Sequence, residues 1–123
     1  MSRIDRAVQR VRHHLADDEV LLACALGLEI DGRRRQVLML TDKRAIRVGL
    51  RGEHPDELPV EGAGARFDEV GDVLTITGTA GRLELRDVER GAAERIERLL
   101  GRHRSRLLAG TTQDLHHIRI VSA

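Results

Sequence analysis

EVLLACALGLEIDGRRRQVLMLTDKRAIRVGL, residues 19–50, is the stretch that decides the fold. Val20, Leu22, Cys24, Leu26, Leu28 and Ile30 alternate with Leu21, Ala23, Ala25, Gly27 and Glu29. A period of two over about eleven residues predicts one long strand. Asp31-Gly32 is a hairpin signal. Val37 to Leu40 then read as a second strand, Thr41 to Arg44 as a polar turn, and Ile46, Val48 and Leu50 as a third strand.

Outward from this stretch the pattern divides the chain. Ile4, Val8, Val11 and Leu15 form one stripe of a helix expected over residues 3–16, with Ser2 as its cap and Asp5 near its positive end. Residues 51–57 are a loop by composition, and Leu58 to Val60 a short edge strand, since Pro59 lacks a ladder donor. Ala65 to Glu69, Val73 to Thr77 and Leu83 to Arg86 follow as short strands parted by Gly-rich turns, which implies an antiparallel barrel or sandwich. Asp87 reads as the N-cap of a closing helix over about 87–108, striped by Val88, Ala92, Ile96, Leu99, Leu100 and Leu107. The tail, 109–123, is either a loose end or one further strand through Ile118 to Val121.

Three stretches carry a family resemblance. Leu15-Ala16-Asp17-Asp18-Glu19-Val20-Leu21 resembles the L-x-x-x-E-x-v/l opening of bacterial pleckstrin-homology-like (PH-like) domains, the YokE-like branch included. Leu38-Met39-Leu40-Thr41-Asp42-Lys43-Arg44-Ala45-Ile46 is similar to their l-x-l-T-d-x-R-l hairpin. Val73-Leu74-Thr75-Ile76 with Leu83-Glu84-Leu85 resembles their late hairpin, ahead of the closing helix. The resemblance spans about residues 14–105. It implies a mainly β fold, a PH-like barrel of about seven antiparallel strands closed by a C-terminal helix and preceded by an N-terminal helix. It also implies a non-catalytic binding or assembly role. The domain itself would cover residues 17–108, with 1–16 as the preceding amphipathic helix. Eukaryotic relatives usually carry a Trp in the closing helix. This chain has none, which points away from phosphoinositide recognition.

Composition narrows the functions. The 123 residues fit one domain able to bury a core without disulfides. Apolar residues make up 41% and charged residues 33%, but aromatics only 1%, the single Phe67. Base-stacking platforms, aromatic cages and ring-anchored interfacial helices therefore lack their usual material. The 21 basic residues, all Arg except Lys43, stand against 20 acids, so no global field steers a polyanion and nucleic acid is not an expected partner. No long apolar run or signal-peptide core is present, which makes the cytoplasm the expected location.

Candidate sites are few. Thr41 and Asp42 suit a structural hairpin in which their side chains accept backbone N–H bonds, and Arg44 can reach a neighbouring carbonyl or carboxylate. Arg33, Arg34 and Arg35 follow the Asp31-Gly32 turn and are the anion-binding candidates, opposed by Glu29 and Asp31. With the basic first helix (Arg3, Arg6, Arg10 and Arg12 against Asp5) they support an alternative reading as a peripheral module for anionic lipid or phosphate. Residues 53–72 are acidic, with seven carboxylates against Arg66, and opposed charge in one chain is compatible with self-association. Strand edges and Ile118 to Val121 offer a second route to it. Six histidines show no ligand spacing, so no metal is expected, and no cofactor loop or catalytic set is legible. A small metal-dependent enzyme is the remaining alternative. Cys24, on a strand face with Leu22 and Leu26, reads as an inert packed thiol.

Overall fold

Val37, Leu38, Met39 and Leu40 are all buried, although successive strand residues point to opposite faces. The strand that carries them must therefore be covered on both sides, and the rest of the fold supplies the two covers. A computed structural model describes residues 2–51 and 54–110, with side chains to residue 101. Its elements in chain order are α1 (Arg3–Val11), a 3-10 turn (Arg12–His14), β1 (Leu21–Leu28), β2 (Arg35–Thr41), β3 (Arg44–Gly49), β4 (Asp56–Pro59), β5 (Gly64–Asp68), β6 (Val73–Gly78), β7 (Gly81–Leu85) and α2 (Arg90–Gly110).

The strands form two antiparallel sheets, one of order β1-β2-β3-β4 and one of order β5-β6-β7. The sheets meet at one bridge, where Leu28 and Arg86 exchange N–H···O bonds of 2.9 Å in each direction. The protein is thus mainly β, with two sheets and a helix at each end of the described chain.

Two cores explain the doubly buried strand. Leu38, Leu40, Leu58, Leu74, Ile76, Leu83 and Leu85 pack with Ile96 and Leu100 of α2, and Phe67 lies partly buried at the margin. Ala23, Ala25 and Gly27 present a small-residue face of β1 at that core, which lets α2 and the β7–α2 link approach closely. A Cβ on Gly27 would lie 2.9 Å from the Arg86 carbonyl. On the opposite face Val37, Met39, Ile46 and Val48 pack under Ala7, Val8 and Val11 of α1.

Helix α1 is fixed at its start by a capping box: Asp5 N–H donates to Ser2 Oγ at 3.2 Å while the Asp5 carboxylate accepts from the Ser2 backbone. Regular helix stops at Val11, short of the expected residue 16, and one 3-10 turn leads into the polar linker. The second helix also differs from expectation. It begins at Arg90, so Asp87 is not its N-cap. Asp87 instead takes a left-handed backbone (φ 57°) and its N–H donates to Gly71 O at 3.2 Å, tying the strand-to-helix link to the β5–β6 turn. No helix among the described residues is long and apolar enough to cross a membrane. Glu53 of the acidic segment, the segment Ile118 to Val121 and the rest of the tail from 111, two of the six histidines included, lie outside the described residues.

Candidate functional site

The Thr41–Arg44 turn sits at the centre of a polar clamp. Thr41 is fully buried; its hydroxyl donates to Glu19 Oε2 at 2.7 Å and accepts from the N–H groups of Lys43 (3.1 Å) and Arg44 (3.0 Å). Asp42 Oδ1 accepts from Val20 N–H at 2.9 Å, and Asp42 N–H returns a bond to Val20 O at 3.1 Å. Arg44 grips Glu19 through two guanidinium nitrogens, each at 2.8 Å, and donates to His14 O at 2.9 Å. Its remaining nitrogen reaches the Glu57 carboxylate on β4. Ala16 N–H also donates to Glu19, at 3.0 Å.

The Glu19 side chain is only 1% exposed, yet it holds its charge. The Arg44 hydrogen bonds pull its pKa from 4.5 to about 2, against burial, which would raise it; Thr41 and Ala16 assist. A carboxylate already saturated by four donors, with so low a pKa, makes a poor general base near neutral pH. The clamp joins the α1–β1 linker, the β2–β3 turn and β4, and its chemistry is structural. Lys43 adds an exposed ion pair to Asp18.

A different place gathers basic side chains. Arg3, Arg6 and Arg10 recur at spacings of three and four, which puts them on one stripe of α1. Arg35 opens β2 with the same parity as Val37 and Met39, so it faces the side that α1 covers. The four arginines line a cleft of about 460 Å³ with Leu26 and Leu50, and no described residue lining it is acidic. Guanidinium groups stay charged at all accessible pH and present forks that match carboxylate or phosphate oxygens.

The structure thus divides the Arg33–Arg35 trio. Arg33 and Arg34 are exposed at the β1–β2 hairpin, while Arg35 joins α1. Glu29 is folded into that hairpin, where its carboxylate accepts from Arg34 N–H and occupies the space a Cβ on Gly32 would need. Arg86 fastens the same loop, donating from Nε to Glu29 O at 3.1 Å and from a second nitrogen to Gly32 O. The sequence signal for the cleft was present in two parts, a 3-6-10 arginine stripe and the strand parity of Arg35. Neither names the other as its neighbour.

The remaining candidates are less developed. Cys24 is half-buried, and burial pushes its thiol pKa up, which lowers its nucleophilicity. His14 is held below its ordinary pKa by burial, then by His13 and Arg44. Among the described residues no three His, Cys, Asp or Glu side chains form a group suited to a metal ion. An open groove of about 470 Å³ on the second sheet is lined by Arg66, Thr75, Thr77 and Thr79. Compared with protein-family models, curated proteins and solved structures, the chain matches none.

Proposed function

We propose that this chain is a non-catalytic binding module of PH-like architecture, acting in protein assembly by holding an anionic partner group in the arginine cleft. One observation carries the reading: Arg3, Arg10 and Arg35 converge over an apolar floor in a cleft whose described lining holds no carboxylate. Guanidinium groups placed together over an apolar floor favour an anion there, through charge and through paired N–H donors. The PH-like assignment draws its support from the order of elements, a four-stranded and a three-stranded antiparallel sheet followed by a helix packed on their shared core. The saturated Glu19–Arg44 clamp supports a structural role for the most motif-like residues of the chain.

The test is titration of the ¹⁵N-labelled chain with inorganic phosphate at low salt. Saturable shifts are expected around residues 3–10, Leu26, Arg35 and Leu50, and their loss in Arg3→Glu/Arg35→Glu. Shifts that never saturate, or that spread evenly over all arginines, overturn the reading.

A further inference from the structure

We infer that the occupant of the arginine cleft is the β5–β6 hairpin tip of a second copy of this chain, so that the protein self-associates head to tail. The inference rests on reading the cleft as an anion site and names its partner.

The tip, residues 68–72, has the complementary chemistry. Val70 is 83% exposed, the most exposed large apolar side chain among the described residues. Asp68 and Glu69 precede it and Asp72 follows, so carboxylates flank the apolar knob along the turn. The cleft presents the converse, arginines around the apolar side chains of Leu26 and Leu50. Docking would seat Val70 on that floor and bring the carboxylates to the guanidinium forks, pairing charge at the rim and burying apolar surface at the centre.

The tip is also built rather than loose. Asp68 Oδ1 accepts from Val70 N–H at 2.9 Å, Gly71 and Asp72 take left-handed backbone (φ 81° and 51°), and Gly71 O and Asp72 O accept from Asp87 and Val88 N–H at 3.2 and 3.0 Å. Glu69 is steadied by Arg90 at 2.8 Å. A preorganised knob loses little conformational freedom on docking. Because cleft and tip are different surfaces, each docked pair keeps one free cleft and one free tip, and the contact propagates into a chain or closes into a ring.

Sedimentation velocity of the full chain at low salt tests this, with Val70→Lys as the tip variant and Arg3→Glu/Arg35→Glu as the cleft variant. Val70 is so exposed that its replacement leaves the fold alone, and matching circular dichroism and unfolding midpoints check both variants. The wild-type mass should rise with concentration beyond one chain and fall back to one chain in about 1 M salt. Each variant alone should associate about tenfold or more weakly. Mixed one to one, the variants should form a complex that stops at two chains, since one supplies the only intact cleft and the other the only intact tip.

A wild-type chain that stays monomeric, a Val70→Lys variant that associates like wild type, or a mixture that forms no pair overturns the inference. Two further readouts separate its failure from that of the cleft itself. A monomeric chain whose Arg3 and Arg35 regions still respond to phosphate rejects the tip and keeps the anion site. A monomeric chain that sediments with vesicles of phosphatidylglycerol and phosphatidylcholine, and loses this in the cleft variant, rejects the tip in favour of a lipid headgroup.

Discussion

Replacing Glu19 by Gln tests whether the clamp governs stability. Glutamine keeps the shape but offers one acceptor oxygen and one NH₂ where four donors converge, from Ala16, Thr41 and two nitrogens of Arg44. The fall in the Glu19 pKa from 4.5 to about 2, at about 1.4 kcal/mol for each tenfold, sets the scale at about 3 kcal/mol. Glu57 and His14 O continue to hold Arg44, which keeps the loss near the lower end of what a broken buried pair costs. A drop of roughly 10 °C in Tm is expected for a domain of this size. The pH dependence is the sharper test. Glu19 titrates lower in the folded chain than in the unfolded one, so its contribution is complete above about pH 4.5 and is lost as pH falls towards 2. Urea unfolding of wild type and variant should therefore differ by about 3 kcal/mol at pH 7, with the gap narrowing by about 2 kcal/mol at pH 3. A gap under about 1 kcal/mol at pH 7, or one that does not change with pH, refutes the clamp as the source of stability.

Two other substitutions probe the joint between the sheets. Gly27→Ala places a Cβ 2.9 Å from both the Arg86 carbonyl and Val88 Cγ2, where the backbone is pinned by the Leu28–Arg86 bridge. It should cost about 1–3 kcal/mol, and an unchanged urea midpoint would show that β1 and the β7–α2 link are not in close approach. Arg86→Ala removes the donors to Glu29 O and Gly32 O while leaving the backbone bridge intact. A loss of about 1–3 kcal/mol is expected, with faster hydrogen exchange over residues 29–34; unaltered exchange there would mean the hairpin is fixed by other contacts.

Much of the fold was legible because its signals are local. The alternation from Val20 to Ile30 and the unbroken apolar run Val37 to Leu40 belong to adjacent strands, and the run itself marks a strand covered on both faces. Strict alternation, however, puts Leu22 on a face with Cys24 and Leu26. A register shift between Leu21 and Ala23 turns Leu21 to the α1 core and leaves Leu22 39% exposed. Nothing in the pattern of a single strand encodes a bulge, because the extra residue is set by how the partner strand and the Glu19 clamp hold its start. Asp87 misled for a related reason. Aspartate suits both an N-cap and a left-handed turn, and the hydrogen bond to Gly71, distant in sequence, decides between them.

The site shows where sequence reading and contact part company. A formal charge of +1 describes the mean field of the molecule, and a mean near zero removes any case for steering a polyanion. It says nothing about segregation. Folding brings Arg35 to the arginine stripe of α1 and leaves Arg33 and Arg34 outside, so the basic cluster is assembled by the β1–β2 hairpin and the docking of α1 rather than by the RRR run. It also sets Asp68, Glu69 and Asp72 around Val70 on a turn held by the start of the closing helix. Opposite charges that nearly cancel in the sum but stand apart on the surface act at contact range, within the roughly 10 Å over which salt leaves them visible. For this chain the informative quantity is therefore where charge stands on two small surfaces, which a count of charges erases and the fold restores to view.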